Sequence, residues 1–308
     1  MTALPRRRFL AITAAAVAGG LQARAATPLH RWRGVAMGAA ASITLAHPEP
    51  ERVVALARAE ISRLEAIFSL YRADSALSRL NAAGRLDAPP FDLLACLSLA
   101  AAVHRATDGR FDPSVQPLWA LYAERHAQGT APTERELAAT LHRVGWAQVH
   151  YTPAAIGFAR PGMALTLNGI AQGYVADRVA ERLVAEGLTD VLVDTGELYA
   201  LGGHPDGGPW TAHLDGTGAA RPAPVRLRDL ALATSGPLGT AFDRAGVVGH
   251  VLDPATGRPA AAGWRLISVT APSAGLADAL STACCLLPRP GIEAALASFP
   301  EARLAFLA

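Results

Sequence analysis

Lysine is absent from the 308-residue sequence, so its 28 basic residues are all arginines. A phosphate group bound by this chain would therefore be contacted by arginine, by backbone amides or by a metal ion. Cysteine is also scarce, and three residues are too few and odd in number for a disulfide framework. Cys284 and Cys285 lie side by side in an apolar run, which predicts buried thiols.

The N-terminus lacks an apolar run long enough to cross a membrane. Residues 11–20 are apolar but amount to about half of the roughly 20 residues that span a bilayer. They follow Arg6-Arg7-Arg8-Phe9-Leu10 and precede Ala23-Arg24-Ala25, which is the order of a secretory signal. Paired arginines before Phe-Leu favour the twin-arginine route. We expect residues 1–25 to be a twin-arginine signal and 26–308 to be a periplasmic domain without stable membrane insertion; a retained anchor is the alternative.

A strong excess of charge of one sign is lacking as well. Four of the 28 arginines lie within residues 1–25, so the rest of the chain has 24 arginines against 26 acidic residues, a formal net charge of −2. Domains that bind nucleic acid usually carry a basic patch. We therefore expect no nucleic-acid partner.

Helical and extended patterns alternate irregularly along residues 26–308. Pro48-Glu49-Pro50 opens an amphipathic stretch with Val54, Ile61, Leu64 and Phe68 on one side, which predicts a helix. Apolar spacing, caps and turn residues predict further helices over 91–107, 133–145, 169–186 and 275–287. They predict strands within 149–158, over 164–167, 190–194 and 265–271, and an edge strand over 210–214. No regular strand-helix-strand repeat is present. The sequence therefore predicts a single α+β domain of mixed sheets packed with helices, rather than a doubly wound α/β fold.

Two segments place polar groups at a helix end or on a helix face. Residues 167–174 lead from a strand into a helix, with Gly169 and Gly173 four residues apart. Exposed amides there suit an anion, although a packing glycine explains the same pattern. Asp278 and Thr282 share one face of an apolar helix and suit Mg²⁺. A helix cap or a buried hydrogen bond to the backbone explains that pair equally well.

Three further segments are ambiguous when each is taken singly. His250 precedes an Asp253-Pro254 turn and can be a base or a structural histidine. Thr234-Ser235-Gly236 lacks the Gly-x-Ser-x-Gly elbow of a nucleophilic serine. The segments that begin at Tyr71 and Gly109 carry aromatic rings that can stack on a planar ligand, but surface turns explain them better.

Together and in this order, seven segments resemble the ApbE family, the FAD:protein FMN transferases. The resemblance extends over residues 37–287, nearly the whole chain after the predicted signal. The matching segments are Met37-Gly38; Tyr71-Arg72-x-Asp74-Ser75-x-Leu77-Ser78-Arg79-x-Asn81; Gly109-x-Phe111-Asp112-Pro113; Gly169-Ile170-Ala171-x-Gly173-Tyr174-x-x-Asp177; Thr234-Ser235-Gly236; His250-x-Leu252-Asp253-Pro254-x-Thr256-Gly257; and Ala277-Asp278-Ala279-Leu280-x-Thr282.

The resemblance implies an exported α+β enzyme that cleaves FAD at its pyrophosphate, attaches FMN to a Ser or Thr of a target protein with Mg²⁺, and releases AMP. It implies that Asp278 and Thr282 are side-chain ligands of the metal, with Ser281 and the Gly169 carbonyl beside them. It implies that His250 lies near the scissile phosphate, where it can deprotonate the acceptor hydroxyl. The implied contacts to FAD, several of them with its rings, are Met37, Tyr71, Arg110, Phe111, Asp112, Thr166, Gln172 and Leu252.

Several positions depart from the family pattern. Gln172 stands where a Lys is usual, Thr166 where an Asp is usual, and Ser281 where some members have a carboxylate. Asp194-Thr195-Gly196-Glu197 replaces Asn-x-Gly-Gly-Asp, and residues 237–240 lack the arginines that commonly follow Ser-Gly. This combination is similar to the NosX branch, which is linked to flavinylation of the membrane regulator NosR in nitrous oxide respiration. A NosR-like flavoprotein is therefore the expected acceptor.

Two other functions stay open at this point. One is an FAD-binding or FAD-hydrolysing protein that makes FMN and AMP without a protein acceptor. The other is a non-catalytic flavin carrier or assembly factor for a copper reductase system. Asp278, Thr282 and His250 are retained, which favours the transferase. The altered Gln172 and Glu197 keep the flavin carrier as an alternative.

Overall fold

A computed structural model describes residues 13–14, 27–214, 223–261 and 263–308 of the protein. Apart from the two-residue strand Thr13–Ala14, the predicted signal over 1–25 lies outside the described residues. Within the described part of the chain, no helix combines the length and the apolar character needed to cross a membrane.

The described residues form eight α-helices and two single-turn 3₁₀ segments. The 3₁₀ segments are Pro113–Val115 and Trp146–Gln148. The helices are α1 Pro50–Phe68, α2 Ala76–Ala83, α3 Phe91–Ala106, α4 Gln116–Ala127, α5 Glu134–Leu141, α6 Ala171–Ala185, α7 Ala274–Cys284 and α8 Arg289–Ala297.

Thirteen strands are described, in three sheets. They are β1 Thr13–Ala14, β2 Leu29–Ala36, β3 Ala39–Ala46, β4 Arg85–Asp87, β5 Val149–Tyr151, β6 Ala155–Phe158, β7 Val191–Asp194, β8 Leu198–Leu201, β9 Trp210–His213, β10 Val225–Leu227, β11 Leu230–Ser235, β12 Ile267–Ala271 and β13 Arg303–Leu307. The largest sheet has the order β13-β12-β11-β8-β7-β3-β2; the smaller ones are β1-β9-β10 and β4-β6-β5. The prediction of one α+β domain with mixed sheets and helices is confirmed.

The large sheet separates two apolar layers. On one face its side chains join the main core with residues of α1, α6 and α7, among them Ile43, Val193, Leu64, Val175 and Leu280. On the other face a smaller cluster packs beneath β9 and β10; it contains Leu192, Leu198, Leu232, Trp210 and Leu227. Cys96, Cys284 and Cys285 are buried free thiols, so the prediction for the adjacent cysteine pair is confirmed.

The contact between α6 and α7 depends on a glycine and a carboxylate. A Cβ at Gly173 would lie 2.1 Å from the carbonyl oxygen of Ala274, so only glycine allows this approach. One turn further along α6, Asp177 accepts the N–H groups of Ala274 and Gly275 at 2.6 and 2.9 Å, and the hydroxyl of Ser273 at 2.8 Å. These bonds satisfy amides that lack partners at a helix start. Asp177 thereby fixes the beginning of α7, the helix that carries Asp278.

Two strand predictions are wrong. Residues 164–167 pair with no strand, because the side chain of Asn81 binds the N–H and the carbonyl of Leu165 at 2.7 and 2.8 Å. An amide side chain thus takes the place of a neighbouring strand. The segment 210–214 is not an edge strand: β9 lies between β1 and β10. Its alternating pattern arises because only one of its faces is covered.

Candidate active site

A cavity of about 500 Å³ opens where several parts of the fold meet. These parts are the β2–β3 hairpin, helix α4, the beginning of α6, the turn between β7 and β8, helix α7, and the chain that follows β11. Side chains predicted from the sequence that line it are Met37, Gln172, His250, Asp278 and Thr282. The fold therefore brings together five of the predicted site residues from distant parts of the chain.

Asp278 is a buried carboxylate, 3% exposed, at the inner end of this cavity. The N–H of Gly173, in the first turn of α6, donates to its Oδ2 at 3.2 Å. Burial raises the pKa of Asp278 to about 7, although the Gly173 N–H opposes the shift. A carboxylate with so little protein compensation is a site where a cation would be favourable.

Glu197 is a second buried acid in the same cavity. It follows β7, and its Oε2 accepts the N–H of Thr234 at 3.0 Å. Burial raises the pKa of Glu197 well above its usual range, and the negative charge of Asp278 raises it further. The cavity thus brings two acids together where water reaches poorly, which favours their neutral forms until a cation binds.

Hydroxyl groups connect α7 to the end of β11. Ser281 donates to the carbonyl of Asp278 at 3.0 Å, and the hydroxyl of Ser235 lies 2.7 Å from that of Ser281 and 3.3 Å from that of Thr282. Ser281 is fully buried on the β11 side of α7, behind the cavity wall, whereas Thr282 lines the cavity. A Cβ at Gly169 would lie 3.0 Å from Oγ1 of Thr282, so the Gly169 backbone approaches this hydroxyl closely.

The imidazole of His250 has a defined tautomer when it is neutral. Its Nδ1 lies 2.9 Å from the carbonyl oxygen of Thr240. Because a carbonyl only accepts hydrogen bonds, Nδ1 carries the proton and Nε2 keeps the lone pair. The backbone N–H of His250 also donates to Thr240, at 3.1 Å, which holds the residue to this loop. His250 is therefore held in the cavity wall by two hydrogen bonds to the Thr240 carbonyl.

Met37 and Gln172 are placed by unusual backbone geometry. Met37 and Gly38 both have positive φ, 51° and 75°, as the two-residue turn of the β2–β3 hairpin requires. Glu65 accepts the Met37 N–H at 2.8 Å and so stabilises this turn. A Cβ at Gly196, where φ is 104°, would lie 2.6 Å from Nε2 of Gln172. Glycine at 196 therefore makes room for the Gln172 side chain in the cavity.

Other predicted contacts lie outside the cavity lining. Tyr71 is 65% exposed on the surface, and Phe111 and Leu252 are buried in apolar clusters. Arg110 forms an ion pair with Asp253 at 2.5 Å. Their assignment as FAD contacts stays a prediction.

Asp112 and Thr166 bind their own surroundings. Asp112 accepts the N–H and the hydroxyl of Ser114 and the N–H of Trp146, at 2.8, 2.6 and 3.1 Å. The Thr166 hydroxyl accepts the N–H of Asn168 at 3.2 Å. Both residues shape the loops that precede α4 and α6, and a role toward FAD stays a prediction.

Arg31, Arg33 and Trp119 are among the cavity-lining residues that sequence reasoning missed. The two arginines lie on β2, two residues apart and hence on one face of the strand. That alternation was visible in the sequence, but nothing local linked it to residues more than 130 positions away. Trp119 lies on α4, where an apolar helical pattern does not separate a cavity wall from a core.

The whole-chain comparison decides the family. The sequence model of the ApbE family matches residues 37–306. The chain belongs to the ApbE family. Among its curated relatives, the FAD:protein FMN transferase of Treponema pallidum (strain Nichols) is 32% identical over 276 residues, which are 79% of this chain and 76% of that protein. The FAD:protein FMN transferase of Haemophilus influenzae is 31% identical over 235 residues, 71% of this chain and 68% of that protein.

Solved ApbE structures have the same fold. The apo flavinyl transferase ApbE of Pseudomonas stutzeri is 28% identical, covers 89% of each chain and gives a TM-score of 0.78. The ApbE protein of Thermotoga maritima is 25% identical, covers 90% of this chain and 93% of its own, and gives a TM-score of 0.80. The ApbE fold therefore extends over nearly all of the described residues.

Proposed function

We propose that this chain cleaves FAD and transfers the FMN half to a Ser or Thr hydroxyl of a protein, releasing AMP. It is an FAD:protein FMN transferase, since several relatives of that name are about 30% identical over most of its length. The observation that carries the detailed proposal is one cavity lined by Asp278, Thr282 and His250. A metal-binding carboxylate and a proton acceptor in one cavity suit phosphoryl transfer.

We further propose Mg²⁺ as the cofactor. Asp278, the Thr282 hydroxyl and the Gly169 carbonyl would hold it, and the second acid, Glu197, would add to its attraction. The donor set fits, because these are hard oxygen ligands and Mg²⁺ shares such sites with water and substrate phosphates. This set of ligands is not a cluster of three His, Cys, Asp or Glu side chains, and the described residues contain no such cluster. When bound, Mg²⁺ would neutralise charge on the pyrophosphate and on the departing AMP.

His250 would take the proton of the acceptor. In the proposed step, the acceptor hydroxyl oxygen forms a bond to the phosphorus of the FMN half, and the bond from that phosphorus to the bridging oxygen breaks. The hydroxyl proton passes to Nε2 of His250, and AMP leaves with the bridging oxygen. A Ser or Thr hydroxyl is a poor nucleophile until its proton is removed, so this transfer supplies part of the rate.

We propose a NosR-like flavoprotein as the acceptor. The support is the combination of Gln172 with Asp194-Thr195-Gly196-Glu197, which is similar to the NosX branch. Gln172, Asp194, Gly196 and Glu197 line the cavity. Buried Thr195 donates its hydroxyl hydrogen bond to the Gln172 carbonyl at 2.7 Å, and the Gln172 side chain occupies the space that a Cβ at position 196 would need. The departures from the usual family pattern therefore form one connected surface.

The released products distinguish FMN transfer from FAD hydrolysis and from flavin carriage. A transferase releases AMP in step with flavin attached to the acceptor. A hydrolase releases AMP and free FMN at the same rate with or without an acceptor, and a carrier releases neither. Chromatography of nucleotides from a mixture of FAD, Mg²⁺ and the protein, with and without acceptor, distinguishes the three.

We propose that residues 1–25 direct the chain to the periplasm by the twin-arginine route. The combined change Arg6→Lys, Arg7→Lys and Arg8→Lys is expected to leave the precursor in the cytoplasm, because that route requires the arginine pair. Fractionation followed by immunoblotting measures the periplasmic share, with Arg24→Lys as the matched control. Normal export of the triple variant, or normal export in a strain without the twin-arginine translocase, would show that this proposal is wrong.

A further inference from the structure

The cavity is rich in acidic groups although its proposed substrate is an anion. Asp194, Glu197 and Asp278 all line it, and FAD brings a pyrophosphate. Burial raises the pKa of all three acids, but when they are ionised one divalent ion at Asp278 would offset only part of their charge and that of the pyrophosphate. Since the chain contains no lysine, further positive charge from a side chain must come from arginine or from a protonated histidine.

Among the described residues that line this cavity, Arg31 and Arg33 are the two with a permanent positive charge. Both lie on β2, and the sheet register explains why they reach the site. Arg33 pairs with Ser42 of β3, which in turn pairs with Asp194 of β7. Directly paired residues project to the same face of a sheet, so Arg33, Ser42 and Asp194 form one row along the cavity wall.

The two arginines differ in their partners. Nη2 of Arg31 donates to the Ser42 hydroxyl at 3.3 Å, and its charge lowers the pKa of Asp194 against the larger effect of burial. Arg33 is exposed, and in the described part of the chain its guanidinium forms no hydrogen bond or ion pair. Arg31 thus balances a cavity acid, whereas the donors of Arg33 are available to a ligand.

From this arrangement we infer that Arg33 binds a phosphate oxygen of the FAD pyrophosphate and positions the nucleotide in the cavity. A guanidinium suits phosphate because its planar array of N–H groups can donate two bonds to one anion. Arg33 on β2 and Asp278 on α7 line the same cavity, so a pyrophosphate bound there would have an arginine and the proposed metal site as partners. The inference rests on the proposed function.

The test compares ligands with and without phosphate. ADP, FAD and riboflavin are each titrated into the protein in the presence of Mg²⁺, and binding is followed by calorimetry or by flavin fluorescence. The proteins compared are the wild type, Arg33→Gln, Arg33→Lys and Arg58→Gln. Arg58 is the matched control: its guanidinium lies over the ring of Trp32, 6.0 Å from the centroid, and it does not line the cavity. Thermal unfolding of each variant checks that the fold is unchanged.

Arg33→Gln is expected to lower the affinity for ADP and FAD by about 10- to 100-fold. This is the loss in affinity that corresponds to one charge-assisted hydrogen bond. Riboflavin affinity should change little, and Arg33→Lys should retain part of the ADP affinity through its charge. Raising the salt concentration should weaken ADP binding less in Arg33→Gln than in the wild type.

Equal loss of riboflavin and ADP affinity, or no loss of either, would overturn the assignment of Arg33. A loss of the same size in Arg58→Gln would also overturn it, because the effect would then be general electrostatics. If the wild type binds neither FAD nor ADP, the proposed function fails as well. If the wild type binds both and transfers FMN while Arg33→Gln is unaffected, only the inference on Arg33 fails.

Discussion

Asp278→Asn is expected to reduce the rate of FMN transfer by on the order of 10³ while the protein remains folded. Asparagine keeps an oxygen that can accept the Gly173 N–H, so the contact between α7 and α6 survives. What is lost is the charge that would hold Mg²⁺ against the pyrophosphate. Single-turnover flavinylation at limiting Mg²⁺ measures the effect. Asp87→Asn is the control, since Asp87 is exposed and pairs with Arg85 on the surface.

The stability of the same variant relative to the wild type is expected to depend on pH, in a direction that the pKa of Asp278 fixes. Folding raises the pKa of Asp278 from 3.8 to about 7, so the carboxyl favours the folded state when it is protonated. That contribution is fully present below about pH 4 and is lost as pH rises through 7. Without metal, the Tm of Asp278→Asn minus that of the wild type should therefore increase between pH 5 and pH 8. Mg²⁺ should raise the Tm of the wild type at pH 8 and leave that of the variant nearly unchanged.

Unchanged transfer by Asp278→Asn at limiting Mg²⁺ would remove Asp278 from the metal site. A Tm difference that is flat from pH 5 to pH 8 would contradict the burial of its charge. Loss of structure in the variant would be seen directly in the melting curve. In that case the Mg²⁺ dependence of the wild-type Tm at pH 8, and its reversal by a chelator, still tests the site.

His250→Asn is expected to slow transfer by roughly 10²–10⁴ while FAD affinity stays within a few fold. In the proposed step Nε2 would take the proton, because Nδ1 bonds the Thr240 carbonyl, and asparagine has no group that can take this role. The measurement is fluorescence titration of FAD beside single-turnover flavinylation. The wild-type rate should fall in acid, where a protonated ring has no lone pair to offer, and this fall should be absent from the residual rate of the variant.

A structural role for His250 would give a different result. Its backbone and its ring both bind Thr240, so a residue that only shapes this loop would lose FAD affinity, thermal stability and rate together. That outcome would refute the role as a base. His150→Asn is the matched control, because His150 is exposed on β5 and does not line the cavity. It should leave the rate, the affinity and the Tm unchanged.

Sequence alone predicted the elements whose signals are local. The capping box of α5 is present, with the Thr133 side chain and Glu136 each bonding the other's backbone. Helix α7 and its Asp278–Thr282 face were also predicted, because a spacing of four residues places two side chains on one helix face. Such features depend on a few neighbouring residues and need no tertiary structure.

What the sequence could not predict depends on distant contacts. The extended segment around Leu165 looks like a strand, but Asn81, which is 84 residues away, takes its hydrogen bonds. The arginines of β2 look like an ordinary exposed face until the register places Arg33 beside Ser42 and Asp194. Tyr71 stands in a family motif yet is exposed at the surface. The family resemblance thus pointed to α7 for the proposed metal site, whereas the arginines of the cavity wall could be recognised only from the fold.

Transfer of FMN to a protein hydroxyl can be measured on the acceptor itself. The protein lacking residues 1–25 is incubated with FAD, Mg²⁺ and a NosR-like acceptor domain, and the acceptor is examined by in-gel flavin fluorescence and intact mass. We expect a fluorescent acceptor whose mass has increased by one FMN, AMP released in equal amount, and no label when the acceptor Ser or Thr is replaced by Ala. AMP and free FMN formed at the same rate without acceptor, and no label on any Ser or Thr of the acceptor, would contradict it.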